Sequence, residues 1–385
     1  MTTIFPIEKL SQEQTPFYYY NMELLEATLN EIKSCTEGLP YKVHYAVKAN
    51  ANERILRTIQ EAGLGVDCVS GGEVAASVNA GFDSKKIVFA GVGKTDREIN
   101  LALDADILCF NVESIPELEA INALAQAKGI VADVAFRVTP NVDAHPHKYI
   151  TTGLSENKFG INMEQLPEVL SIATAMKNIN VVGLHFHIGS QITELEPFER
   201  LCEKVNELQC EVEKLGVKLK IINVGGGLGI DYVNPDENPI TSFKEYFDIF
   251  KNSLKLREGQ EVHFELGRAI VAQCGSLITS VTYVKKGTVK QFIITDAGMT
   301  DLIRPALYQA YHRIENLTSD EAEETYDVVG PICESSDVFG KAIDLNRCQR
   351  GDLIAMRSAG AYGEIMASGY NCLELPIGYL SDELL

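Results

Sequence analysis

Tyr45-Ala46-Val47-Lys48-Ala49-Asn50 closes an apolar run that begins at Val43, and polar residues suited to opening a helix follow at once. A lysine at the end of a buried strand can lose solvation and with it basicity, and only a neutral amine attacks an aldehyde. The segment alone allows two readings of Lys48: a covalent anchor for a carbonyl compound, or a surface charge at a strand end. What surrounds the stretch decides between them.

Outward from it, the chain alternates short apolar runs with amphipathic segments. Eight such runs lie at 42–47, 65–69, 87–90, 107–110, 132–138, 181–188, 220–224 and 262–265. Helix-period segments fall between them at 52–62, 72–80, 96–103, 114–128 and 194–215, and an earlier one spans 22–35. Alternation of this kind implies parallel strands joined by crossover helices, and eight units in succession imply a (β/α)8 TIM-type barrel. Near residue 270 the pattern changes. Residues 274–295 read as antiparallel strands about Lys285-Lys286-Gly287, with further strand-like runs at 326–332 and 352–357 and a turn-rich tail. The expected organisation is a barrel over 25–270 and a mostly β second domain formed by 1–24 with 271–385.

Barrel enzymes carry their chemistry on the loops after the strands' carboxyl ends. Lys48 follows the first strand, and Asp67 and Ser70 end the second. Arg137 lies in the fifth. The sixth carries His185-Phe186-His187 and then Gly189-Ser190. The seventh opens onto Gly225-Gly226-Gly227-Leu228-Gly229, and the eighth ends in Glu265, followed by Gly267-Arg268. These residues are expected at one mouth. The glycine run is either a tight turn or a cup whose backbone N–H groups cradle a phosphate, and the position after strand seven favours the cup. It is not a dinucleotide fingerprint, which needs glycine where Ile230 stands. Gly91-Val92-Gly93-Lys94-Thr95 ends like a nucleotide P-loop, but Val88 occupies the place of its first glycine. Two histidines two apart on a strand share a face, so His185 and His187 both point inward. No third ligand set accompanies them, nor His145 and His147, so no metal is expected. A lysine, a phosphate cup, a flat interior imidazole and a strand-end carboxylate suit pyridoxal 5′-phosphate. An acidic partner keeps the pyridine nitrogen protonated and the ring a strong electron sink, which favours decarboxylation over racemisation.

A formal charge of −20 with no basic block argues against a nucleic-acid partner. Nine scattered cysteines without C-x-x-C spacing fit reduced thiols and a cytoplasmic protein. The first residues show no apolar signal core, and no apolar run reaches membrane-spanning length, so no membrane association is expected.

At these motifs the chain resembles the barrel-type (fold type III) pyridoxal-phosphate-dependent amino acid decarboxylases, and within them the diaminopimelate decarboxylases. The likeness covers nearly the whole length. It includes Tyr45-Ala46-Val47-Lys48-Ala49-Asn50, Gly183-Leu184-His185-Phe186-His187-Ile188-Gly189-Ser190-Gln191 and the glycine loop. More specific are Thr151-Thr152-Gly153-Leu154-Ser155-Glu156-Asn157-Lys158-Phe159-Gly160-Ile161, Arg304-Pro305-Ala306-Leu307-Tyr308 and Gly330-Pro331-Ile332-Cys333-Glu334-Ser335-Ser336-Asp337. The resemblance implies a second domain of the alanine racemase-like kind. It makes Lys48 the Schiff-base lysine and stacks His187 on the cofactor ring. Asp67, Arg137, Gly225, Gly226, Gly227, Ser190, Gly267, Arg268 and Tyr362 would line the cofactor, and Glu265 would pair with its pyridine nitrogen. Arg268, Arg304, Tyr308 and Tyr362 would hold the substrate, Glu334 its far ammonium, and Cys333 would donate the proton.

Read from the residues alone, Cys333 is as well explained as an inert packing thiol. In the family it and Glu334 reach the site from a partner subunit, which implies a homodimer with shared active sites. The implied reaction is that of a carboxy-lyase (EC 4.1.1.20), meso-2,6-diaminopimelate to L-lysine and CO2, the last step of lysine biosynthesis. Two arginines suit a substrate with a second carboxylate, which ornithine, arginine and carboxynorspermidine lack. A non-catalytic regulator or cofactor carrier on the same fold would be expected to have lost the lysine, the acid or the second domain. One departure stands out: Leu266 occupies a position where the family usually has proline, which frees a backbone N–H and loosens φ.

Overall fold

The computed structural model describes residues 5–142 and 158–384. His145, His147 and all but the last four residues of the 151–161 motif lie outside that range. The described chain divides into two compact units.

The first unit comprises Leu29–Gly229 and Ser242–Gly267. Eight parallel strands run at Tyr41–Ala46, Gly65–Cys68, Ile87–Phe89, Cys109–Val112, Ala132–Thr139, Ile179–His185, Ile221–Asn223 and Glu261–Leu266. Each pairs with the next, and the eighth returns to the first through Val262 opposite Tyr41 and Leu266 opposite Tyr45, closing the barrel. Leu266 thus serves as an ordinary ladder residue, buried at the strand's end. The strands are buried on both faces, which is why they read as continuous apolar runs. Alternation still sorts their side chains. Phe264 points outward into a ring cluster with Tyr41, Tyr246, Phe247 and Phe250, its centroid 4.9 Å from that of Phe247. Its neighbours His263 and Glu265 face inward, where His263 meets His44 at 2.9 Å.

Helix starts are fixed by local chemistry. The Ser70 side chain caps Gly71–Asn79, Thr95 and Glu98 form a capping box on Asp96–Asp104, and Ser114 caps Ile115–Lys128. These caps set where the three helices begin, and so which residues remain in the loops above the strands before them. The sixth strand ends at His185, three residues earlier than the apolar run, so His187 lies on the loop beyond it.

The second unit comprises the described part of 1–28 together with Ile230–Thr241 and 268–384. Residues 230–241 fall inside the span expected for the barrel but group here. Its sheet has eight strands. Gly275–Lys286 and Gln291–Thr295 form the expected antiparallel pair, with a register shift between Val281 and Tyr283. Phe17–Tyr20 runs antiparallel to Gly275–Lys286 and parallel to Ile377–Leu380, a strand within the tail read as turns. The runs at 326–332 and 352–357 appear as Glu323–Val329 and Leu353–Met356. Val338–Asn346 and Ile314–Asn316 were not legible as strands. The longer one sets two buried residues, Phe339 and Leu345, among half-buried and exposed ones and carries no apolar run. Phe5, Leu10, Phe17, Tyr19, Ile278, Leu353 and Ala355 make one core of this unit.

Candidate active site

In the barrel unit the expected residues gather at the carboxyl ends of the strands. Glu265 is the most constrained of them, with 7% of its surface exposed. Its Oε1 accepts from Asn111 Nδ2 at 3.0 Å and Asn223 Nδ2 at 2.7 Å, and its Oε2 faces His185 Nε2 at 2.9 Å. Burial alone would raise this carboxyl's pKa. The facing His185, then Lys48 and the Asn223 bond, outweigh it and hold the group well below the usual carboxylate range. Asp67 ends up on the other side of the same balance. Burial, and then the charge of Glu265, push its carboxyl well up, and its Oδ1 has no hydrogen-bond partner among the described residues.

Lys48 sits on the single turn Val47–Ala49 directly after the first strand. Its charge is felt by Asp67, Glu73, His187 and Glu265, so the strand-end reading of the site holds together electrostatically. The expected desolvation is not found. Val47 and Ala49 turn inward and Lys48 itself is exposed.

His187 is half-buried on the loop after the sixth strand. The Gly226 N–H points at its Nδ1 at 3.4 Å, which assigns the ring proton to Nε2. Burial, then Arg137 and Lys48, push its pKa well down, so it presents a neutral ring. Arg137 is spoken for: its Nη1 bonds Glu113 Oε1 at 3.0 Å, and its guanidinium lies 4.7 Å from the Phe159 ring centroid. Glu113 also accepts from the Gly91 and Gly160 amides.

The glycine loop is a tight turn, its Gly225 N–H turned to Asn223 Oδ1 at 2.9 Å. The Gly189–Ile192 loop, which carries half-buried Ser190, is zipped to it through Ile192 N to Gly227 O and Gly229 N to Ile192 O, both 2.9 Å. A Cβ on Gly226 would lie 1.9 Å from the Glu265 carbonyl oxygen, and one on Gly225, where φ is +71°, 2.1 Å from Phe186 O. Only bare backbone fits there. The P-loop look-alike resolves differently. Lys94 Nζ is tied to Glu117 Oε1 at 2.6 Å and to the Gly91 and Asn111 carbonyls, with 1% of its side chain exposed. It is a strap between loops.

In the second unit, Arg268 and Arg304 are each 6% exposed. Both donate from Nη1 to the Tyr232 hydroxyl oxygen, at 2.5 and 3.0 Å. No Asp or Glu among the described residues pairs with Arg304, and burial, together with neighbouring Arg268, lowers its pKa. Tyr308 closes the short helix Arg304–Tyr308 and is partly buried, and Tyr362 lies under Arg268 at 5.0 Å with φ at +58°. Gly267 is buried at the end of the barrel unit. Cys333 is exposed in the single chain, and Glu334, also exposed, accepts from Tyr370 Oη at 2.8 Å.

Asn111, Asn223, Glu113, Tyr232 and His312 escaped the sequence reading. The first three sit at or just after strand ends, where Lys48 and Glu265 were found, so the same positional rule could have found them. Tyr232 and His312 belong to no strand end and left no such signal.

A dry, anionic carboxylate, a neutral imidazole, a lysine ringed by carboxylates and a cup that tolerates no side chain match the donor set that pyridoxal 5′-phosphate requires. Residues 23–272 match the family model described as "Pyridoxal-dependent decarboxylase, pyridoxal binding domain". The protein is therefore a pyridoxal-dependent decarboxylase by class. Over its whole length it is 63% identical to the diaminopimelate decarboxylase of Bacteroides thetaiotaomicron, with 100% of each chain covered. It is 44% identical to that of Vibrio cholerae over 94% of this chain and 86% of the other. The crystal structure of diaminopimelate decarboxylase from Helicobacter pylori complexed with L-lysine superposes with a TM-score of 0.92 at 41% identity, covering 97% of this chain and 93% of that one. The chain belongs to the diaminopimelate decarboxylase family.

Proposed function

We propose that this chain decarboxylates meso-2,6-diaminopimelate to L-lysine and CO2, the last step of lysine biosynthesis. The observation that carries the substrate assignment is Arg304, a buried guanidinium that lacks a carboxylate partner among the described residues. An unpaired buried charge is costly, and a ligand carboxylate is the counter-ion that offsets it. Relatives named diaminopimelate decarboxylase and the lysine-bound Helicobacter pylori structure support the same reading.

Lys48 is the residue that would hold the cofactor covalently through its Nζ. Ser190 and the glycine loop at Gly225, Gly226 and Gly227 hold its phosphate, with Gly267 alongside. Asp67, Arg137, Arg268 and Tyr362 complete its surroundings. When bound, pyridoxal phosphate supplies an electron sink for the pair left as the carbon–carboxylate bond breaks. Glu265, kept anionic by His185, Asn111 and Asn223, is the partner for the proton on the ring nitrogen. His187 offers a flat neutral face to the ring. Arg268, Arg304, Tyr308 and Tyr362 hold the substrate, and Glu334 takes the far ammonium. Binding there orients the bond to the departing carboxylate. The Cys333 thiol gives its proton to the carbon that lost CO2.

Cys333 and Glu334 are exposed in the single chain, which suits their use by a partner copy, so the working unit is a homodimer with shared sites. Nine cysteines without a disulfide fit a cytoplasmic setting. No helix among the described residues is long and apolar enough to cross a membrane.

Product analysis on the holoenzyme with competing amino acids tests the substrate. Lysine and CO2 from diaminopimelate are expected, and turnover of ornithine with none of diaminopimelate would overturn the assignment. Borohydride reduction followed by peptide mapping tests the anchor, with label expected at Lys48.

A further inference from the structure

The two arginines of the second unit share a small polar relay through Tyr232. Arg304 Nη1 gives one N–H to the Tyr232 oxygen at 3.0 Å and the other to His312 Nε2 at 2.9 Å. His312 Nδ1 lies 2.9 Å from the Arg357 carbonyl, which can only accept, so Nδ1 carries the ring proton. Nε2 must then present its lone pair, as the Arg304 N–H requires. The imidazole is thus held neutral and in one tautomer from both sides. Burial, and then the charge of Arg304, push its pKa down to about 3, so this state persists through the neutral range. Arg357 is itself fixed by Asp236 Oδ1 at 2.7 Å and Glu315 Oε2 at 3.0 Å, so the carbonyl that orients His312 belongs to an anchored residue.

Tyr232 completes the relay. Its oxygen accepts from Arg268 and from Arg304, which uses both of its lone pairs. Its O–H finds no acceptor among the described residues. Its ring lies 5.8 Å and 5.3 Å from the two guanidinium carbons and meets the His312 ring edge-on at 82°. A phenol saturated as an acceptor can take part in further binding only as a donor. Beside two guanidiniums, an acceptor that carries negative charge is favoured.

We propose that Tyr232 is a third donor to the substrate's far carboxylate, and that His312 is a positioning residue that fixes Arg304 to receive it. This rests on the dicarboxylate reading given above. Two cations and one O–H converging on one carboxylate discriminate against amino acids that lack it, since those leave all three donors unmet.

The test uses the holoenzyme with diaminopimelate, together with calorimetric binding of pimelate, a seven-carbon diacid with no amine to react. Tyr232→Phe keeps the ring and removes the oxygen. It should lower kcat/KM about 10- to 100-fold, mostly through KM, and weaken pimelate by a similar factor, as expected for a lost hydrogen bond to a charged group. His312→Leu should do the same, and His312→Gln, which restores an acceptor for Arg304, should recover most of the loss. If Tyr232→Phe leaves both KM and pimelate affinity unchanged, the donor role is overturned, even where the melting temperature falls. If Leu and Gln at 312 behave alike, the positioning role is overturned. Wild-type enzyme that binds no diacid and turns over ornithine would instead sink the dicarboxylate reading on which both rest.

Discussion

His185 Nε2 lies 2.9 Å from Glu265 Oε2, so the buried carboxylate at the centre of the barrel mouth is held by an imidazole on one oxygen and by two asparagine amides on the other. The arrangement concentrates negative charge at the barrel mouth, which is what the proposed pairing of Glu265 with a protonated ring nitrogen requires. It also links the state of Glu265 to pH. A carboxyl whose folded pKa is depressed contributes stability that is fully present above its unfolded value, near 4.5, and is lost as pH falls through the folded one. Glu265→Gln cannot make that contribution. Denaturant unfolding of the cofactor-free proteins should show wild type ahead of the variant at pH 7, with the gap narrowing below pH 4.5. The variant's kcat should fall by about 100-fold or more, the scale of removing a preorganised electrostatic partner.

Asp67 predicts the opposite sign. Burial and the Glu265 charge raise its folded pKa, so its favourable contribution is complete only below the unfolded value, near 3.8, and is lost as pH rises toward the folded one. Asp67→Asn should therefore stabilise the cofactor-free protein at pH 7 by about 0.5–2 kcal/mol while weakening cofactor binding. The stability gain should vanish near pH 3.8, and a gain that stayed constant across the range would contradict the cause assigned here.

The barrel was legible because its signal is local. Each strand is a largely buried run, and several crossover helices open on a capping residue, Ser70, Thr95 and Ser114 among them. Placing Lys48, Asp67 and Glu265 at strand ends needed only that count. The partners of these groups were less legible. Asn111 and Asn223 look like ordinary polar residues until the barrel closes and turns both amides toward one oxygen of Glu265, a residue 154 positions from the first and 42 from the second. The sequence left the exposure of Lys48 open for a related reason. Burial of a strand says little about a side chain two residues beyond its end.

Lys94 and Glu117 test the dismissal of the P-loop look-alike. Their 2.6 Å pair is nearly sealed, so removing one partner strands a buried charge. Lys94→Met alone should cost about 3–5 kcal/mol, while the double variant Lys94→Met, Glu117→Leu should recover most of it. Urea unfolding of the four proteins in the cycle measures the coupling. Nucleotide should have no effect on any of them.

Cys333 separates stability from chemistry cleanly because it is exposed. Cys333→Ser should leave the unfolding free energy of the chain within about 0.5 kcal/mol of wild type. If the thiol is the proton donor, kcat should drop by about 100- to 10,000-fold, the range for a general acid. Full turnover by the serine or alanine variant would remove that role without touching the substrate assignment.

The two glycine loops make a matched pair of predictions. An alanine at 226 would drive its Cβ to 1.9 Å from the Glu265 carbonyl oxygen, and that backbone cannot retreat freely, since Glu265 N is bonded to Gly225 O at 2.8 Å. Relief has to come from parting the seventh and eighth strands at their ends, where the loop proposed to hold the phosphate adjoins Glu265. Gly226→Ala should therefore cost about 1–3 kcal/mol or more and lose cofactor affinity by a larger factor than its stability loss explains. Gly93 provides the control. Nothing lies within 4 Å of a Cβ there and its φ is not in the left-handed region, so Gly93→Ala should change stability by no more than about 0.5 kcal/mol and leave cofactor binding intact. Equilibrium titration of each apoprotein with pyridoxal phosphate, alongside its melting temperature, distinguishes the two. Equal cofactor affinity in both variants would mean that the 225–229 loop is only a turn.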